Sequence, residues 1–149
     1  MPSVPVVGVL ALQGGVREHL DALAESGAES RSVKTLEQLV GVDALVIPGG
    51  ESSTIEKLAR NSEMLEPLRE AIKEHMPIFG SCAGMILLAD RVVGAIEGQE
   101  SIGGLDITVE RNAFGRQMQS FESGIAIAGI RDPQRDFDGQ SIMRIGDPF

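Results

Sequence analysis

One cysteine, two histidines and no apolar run long enough to cross a bilayer set the first limits on this chain of 149 residues. A lone cysteine, Cys82, cannot close an intrachain disulfide, so cohesion has to come from the core. Basic residues are scarce too: 13 Lys and Arg stand against 22 Asp and Glu, for a formal charge of -9. A nucleic-acid surface or a patch for anionic membranes needs clustered Lys and Arg, which leaves small molecules and other proteins as partners. Heptads, internal repeats and low-complexity blocks are absent. Met1-Pro2-Ser3-Val4 carries no basic region ahead of a hydrophobic segment, so a reducing, cytoplasmic setting is expected. At 42% hydrophobic composition the chain is long enough for one domain with a real core and short for two.

What the chain does have is a frame around that cysteine. Gly80-Ser81-Cys82-Ala83-Gly84 lies between Pro77-Ile78-Phe79 and Met85-Ile86-Leu87-Leu88-Ala89. Read as the end of a buried strand followed at once by a helix over residues 83–89, this is a nucleophile elbow, with the Cys82 sulfur exposed on a sharp turn. Gly80 and Gly84 let the turn close. Ala83 opens the helix, so its free N–H can donate to an oxyanion, and the positive helix end favours the thiolate. The competing reading, a structural cysteine in the core, does not account for glycines on both sides at elbow spacing.

The rest of the chain alternates strand and helix. Residues 4–12 read as a strand buried on both faces, and Val16, Leu20, Leu23 and Ala24 recur at helical spacing ahead of Gly27. A weak strand over residues 29–34 precedes a capping box at Thr35-Leu36-Glu37-Gln38 and a short helix ending near Gly41. Ala44-Leu45-Val46-Ile47 is the next buried strand. Its carboxyl end runs into Pro48-Gly49-Gly50-Glu51-Ser52-Ser53-Thr54, the position where open α/β sheets bind ligands; the plainer alternative is a loop capped by Ser52 or Ser53. Residues 55–60 and 65–75 read as two helical pieces broken at Asn61-Ser62, with Pro67 in a first turn. Ile107-Thr108-Val109 suits a strand, and Arg111-Asn112-Ala113-Phe114-Gly115-Arg116-Gln117 a polar loop that could equally be a solvated basic one. Residues 124–130 suit one more strand. The expectation is an α/β, flavodoxin-like fold in three layers, an open and mostly parallel sheet with helices on both faces. Its domain spans residues 1–130, and residues 131–149, dominated by turn chemistry, form a poorly packed tail.

Together, Val7-Gly8-Val9-Leu10-Ala11-Leu12-Gln13-Gly14, Arg17-Glu18-His19, Pro48-Gly49-Gly50-Glu51-Ser52, Gly80-Ser81-Cys82-Ala83-Gly84 and the segment from Arg111 to Gln117 resemble the glutaminase subunits of pyridoxal 5′-phosphate synthase, within the class I glutamine amidotransferases. The resemblance covers residues 6–121. It implies that Cys82 attacks the side-chain amide of L-glutamine, that Gly50, Glu51, Ser52 and Arg111 hold the substrate, and that the ammonia passes to a synthase subunit. It implies no cofactor and no metal. The residue chemistry agrees: Arg111 suits the α-carboxylate, Glu51 the α-ammonium, and the Gly50 and Ala83 N–H groups an oxyanion hole.

The family's C-terminal His-Pro-Glu segment has no counterpart here, and residues 140–149 depart from the family's continuation, as in a chain cut short or shifted in frame and missing its C-terminal strands. His75 is expected at the far end of the Cys82 strand, and His19 as a surface or partner-facing residue, so neither takes the role of base. An alternative function is therefore a binding module that docks on the synthase or holds glutamine without turnover. An unrelated cysteine hydrolase is a third reading, against which Arg111 and Gly50-Glu51-Ser52 count.

Overall fold

The computed structural model describes residues 3–111 and the backbone of two later strands. The first strand, β1 (Val6–Leu10), is followed by α1 (Val16–Glu25), β2 (Glu29–Val33), α2 (Leu36–Val40) and β3 (Ala44–Ile47). Then come α3 (Ser52–Asn61), α4 (Leu65–Lys73), β4 (Ile78–Gly80) and α5 (Ala83–Leu88). A separate pair, β5 (Ala89–Val93) and β6 (Leu105–Glu110), completes the first compact unit, which ends at Arg111.

Strands β1 to β4 form one parallel sheet in the order β2-β1-β3-β4. This is the flavodoxin-like arrangement: the winding direction reverses between β1 and β3, and the crevice beyond their carboxyl ends is where such sheets take ligands. The apolar runs explain the parallel pairing, because parallel strands are covered on both faces. Val9, Leu10, Leu45 and Ile47 are buried, as are Ile55, Leu68 and Leu87 from the helices. Asp43 fixes where β1 starts, its carboxylate accepting from Val6 N at 2.8 Å while its own N–H donates to Val6 O at 2.8 Å.

Local signals set the helix ends. Thr35 Oγ1 accepts from Gln38 N at 3.3 Å, and Gln38 Oε1 reaches back to Lys34 N at 2.7 Å, a capping box displaced by one residue on its return arm. Gly27, with φ +80°, ends α1 as expected, its N–H donating to Ala24 O. The expected inner face of α1 is only partly covered, and no residue of that helix is fully buried.

Several expectations are corrected. The strand ahead of Cys82 is not buried: β4 is the last strand of its sheet among the described residues, and Phe79 is 57% exposed. The turn after Asn61 falls at residues 62–64, since α3 runs through Asn61. A strand, β5, forms directly after α5, where none was expected; it pairs in parallel with β6, joined by Arg91 to Asp106 at 2.7 Å and to Thr108 at 2.8 Å. The strand expected over residues 124–130 is β7 (Ser123–Ala126), paired antiparallel with β8 (Ile142–Ile145), which lies in the segment expected to be a poorly packed tail. These two strands belong to a second unit, Asn112–Phe149. The division expected after residue 130, and the polar loop beyond Arg111, lie outside the described residues. Among the described residues no helix is long and apolar enough to cross a membrane.

Helix α5 sits so close on β3 that a Cβ at Gly84 would overlap the Ile47 carbonyl oxygen. Backbone on both sides leaves little room to yield. Gly84→Ala should lower stability by about 1 to 3 kcal/mol, read as a reduced urea midpoint with unchanged slope. An unshifted midpoint would contradict this packing.

Candidate active site

Three strand ends meet at one edge of the sheet. Beyond β1, Gly14 takes φ +102°, and a Cβ there would overlap the Gly49 carbonyl oxygen, so only glycine allows the two loops to approach this closely. Gly15 N donates to that oxygen at 3.0 Å, and Gln13 Oε1 accepts from Glu51 N at 3.0 Å. Beyond β4, Ser81 N donates to Ile47 O at 3.1 Å, which ties the cysteine loop to β3. A methyl group at Gly49 would stand 3.5 Å from Cys82 Cβ. The glycine-rich loop and the cysteine are therefore neighbours, as the strand order requires.

Cys82 is exposed and caps α5 with φ 48° and ψ -108°. An L residue other than Asn, Asp or Gly rarely holds a positive φ, and this conformation costs on the order of 1 to 3 kcal/mol unless its surroundings enforce it. They do so here: Gly84 N donates to Ser81 O at 2.8 Å, Ile86 N donates to Cys82 O at 3.1 Å, and α5 is pressed on β3. The Ala83 N–H, at the first position of the helix, has no partner within it.

The second half of the site gathers around Glu51. This residue, not Ser52 or Ser53, caps α3, its carboxylate accepting from Ser53 N at 3.4 Å and Ser53 Oγ at 3.0 Å. The competing capping residues are thus corrected: a carboxylate at the first turn also meets the helix dipole favourably. Arg111 follows the end of β6, its N–H donating to Val93 O, and its guanidinium lies 3.2 Å from Glu51 Oε1 with 15% of the side chain exposed. That burial removes the solvated-loop reading of Arg111. Hydrogen bonds from Ser53, and then the charge of Arg111, hold the Glu51 carboxyl below its ordinary pKa against the opposing effect of burial.

Sequence reasoning missed Gln99 and Gln13. Gln99 Oε1 accepts from Arg111 Nη1 at 3.3 Å, while its Nε2 donates to Ser52 Oγ at 3.3 Å. Ser52 is buried, and its hydroxyl braces the loop against Gln99. Gln99 lies in a segment without periodicity, so nothing local marked it; Gln13 stood in the Val7–Gly14 stretch that carries the resemblance, but without a role of its own. His75 lies at the amino end of β4, as expected, lining a groove with Met76 and Pro77. His19 is half-buried, with Nε2 3.0 Å from Ser81 Oγ, because the first turn of α1 aims it across the sheet edge.

This arrangement can be compared with known proteins. The model of the SNO glutamine amidotransferase family matches residues 9–144. The chain belongs to that family. The pyridoxal 5′-phosphate synthase subunit PdxT of Streptomyces griseus subsp. griseus is 55% identical over 130 residues, which are 87% of this chain and 66% of the relative. Its counterpart in Acidothermus cellulolyticus is 61% identical over 126 residues, 85% of this chain and 61% of the relative. The chain thus spans just under two thirds of the length of these relatives. A crystal structure of a glutamine amidotransferase superposes with a TM-score of 0.75 at 49% identity, covering 83% of this chain and 65% of that one. A peptidase E protein from Listeria monocytogenes EGD-e, at 12% identity and TM-score 0.59, shares the fold alone.

The depressed Glu51 pKa has a sign. Its contribution to stability is complete above the unfolded value, about 4.3, and is lost as pH falls through the lower folded value. With the Glu51 side chain 52% exposed, that contribution should stay below about 1 kcal/mol. The stability gap between wild type and Glu51→Gln, measured by urea unfolding, should close on acidification across this window; a constant gap would contradict the Glu51 contacts.

Proposed function

We propose that this chain is a glutaminase component of pyridoxal 5′-phosphate synthase, releasing ammonia from L-glutamine for a synthase subunit. The observation that carries the reading is Cys82: an exposed thiol in left-handed backbone at a strand-to-helix elbow, beside a loop bearing one carboxylate and one guanidinium. The names of the PdxT relatives support the pathway and the partner. A cytoplasmic setting suits the lone, exposed cysteine.

In this reading the Cys82 thiolate attacks the carboxamide carbon of glutamine, and the Gly50 and Ala83 N–H groups receive the oxyanion. The C–N bond breaks as ammonia leaves with a proton, and water then hydrolyses the γ-glutamyl thioester to glutamate and free thiol. Arg111 and Glu51, paired with each other in the structure, match the two ends of an α-amino acid: the guanidinium takes the α-carboxylate and Glu51 the α-ammonium. Ser52 contributes through its backbone. The reading needs a base from outside the described residues, since His75 sits at the other end of β4 and His19 is turned to Ser81.

Ammonia release with the synthase subunit present, by this chain and by one extended with the relatives' remaining segment, tests the proposal. The extended chain should hydrolyse glutamine, and Cys82→Ala should abolish it, a loss on the order of a million-fold where nucleophile and base act as a unit. No Cys82-dependent release from the extended chain would overturn the proposal. In a Cys82→Ala background, Arg111→Ala should weaken glutamine binding about 10-fold or more, the worth of a charge-assisted contact. Calorimetric titration reads this, and unchanged affinity would remove Arg111 from the substrate site.

A further inference from the structure

His19 has no part in the reaction described above, yet it is half-buried at the nucleophile's edge of the sheet. Its Nε2 lies 3.0 Å from Ser81 Oγ, and its ring meets Phe79 edge-on, with centroids 6.5 Å apart and planes at 71°. Its backbone is anchored as well, the N–H donating to Gly15 O at 3.4 Å, in the same loop that is bonded to Gly49. Both residues that His19 touches precede Cys82 by one and three positions on β4 and its end.

Ser81 directly precedes Cys82 in the turn. Its N–H is held by Ile47 O at 3.1 Å and its carbonyl by Gly84 N at 2.8 Å, so the backbone is fixed on both sides of the Ser81 side chain. Side-chain fixation comes from His19 alone among the described residues. A non-glycine residue at φ 48° persists only where its neighbours over-determine it. Without the ring, the Ser81 hydroxyl and Phe79 would lose their contact with α1, and the segment that leads into Cys82 would be less tightly held at the sheet edge.

We infer that His19 is a positioning residue for the nucleophile, holding Ser81 through Nε2 and Phe79 through its ring, and so steadying the segment that delivers Cys82 to the elbow. The inference rests on the reading of Cys82 as the reactive group. It assigns the imidazole a hydrogen-bonding and packing role, with no proton transferred to or from the substrate.

Iodoacetamide alkylation of the full chain tests it, since Cys82 is the only thiol and the rate therefore reports on that sulfur alone. Rate constants at neutral pH are compared for wild type, His19→Leu, His19→Gln, Ser81→Ala and the double variant His19→Leu with Ser81→Ala. Loss of one neutral hydrogen bond should slow His19→Leu and Ser81→Ala by about 2- to 10-fold, with the double variant no slower than either. His19→Gln, whose amide reaches the same hydroxyl, should stay within about twofold of wild type. Should His19→Leu fail to fold, Ser81→Ala removes a single atom and carries the same expectation. Wild-type rates in His19→Leu and Ser81→Ala would overturn the inference, as would independent, additive losses in the double variant. A His19→Gln variant as slow as His19→Leu while Ser81→Ala keeps the wild-type rate would overturn it too, by showing that the hold on Ser81 does not matter. These ratios are read even if wild-type Cys82 is no faster than a free thiol, a result that would count instead against the proposed function.

Discussion

The backbone of Cys82 is the constraint on which the site depends. Its positive φ is unfavourable for an L residue with a Cβ, and it is held by the close seating of α5 on β3, where Gly84 leaves room for the Ile47 carbonyl. Relaxing that contact would lengthen the turn, pull Ser81 from Ile47 and withdraw the thiol from the glycine-rich loop. The packing that stabilises the domain and the strain that exposes the sulfur are the same contact.

Topology does the rest. With the order β2-β1-β3-β4, the loops after β1, β3 and β4 open on one edge, and the reversal between β1 and β3 leaves a crevice there. Gln13, Gly15 and Gly49 lace the first two loops together, so the loop carrying Glu51 is positioned by hydrogen bonds to β1 as much as by its own helix. Arg111 arrives from elsewhere: β5 and β6 carry the chain back, and Gln99 steadies the guanidinium against Ser52 and Glu51. A substrate with both an α-carboxylate and an α-ammonium would exchange one ion pair for two, without bringing an unpaired charge into the site.

Much of this was legible in the sequence, wherever the signal was local. The apolar run Ala44–Ile47 became β3 to the residue, the Thr35 cap formed, and the elbow around Cys82 folded as its glycines required. Interactions between distant residues were not legible. β5 was hidden because Asp90 and Arg91 break its apolar pattern, and it is stabilised by Asp106 and Thr108 across the ladder. Phe79 looked like core, yet β4 is the last strand of its sheet among the described residues and leaves it exposed. Glu51 was read for its charge and not as a helix cap. Gln99 and His19 act on residues 47 and 62 positions away, separations at which a single sequence carries no trace of contact.

The central claim is that the fold sets the Cys82 sulfur out at the elbow, open to an incoming electrophile, where a core cysteine would be closed to one. The most direct measurement is the alkylation rate of Cys82 in the native chain against the same chain unfolded in urea, each normalised to a small thiol in the same solvent. The account predicts a native rate within about threefold of the unfolded one. A native rate about tenfold or more below the unfolded rate, as for a buried thiol, would contradict it.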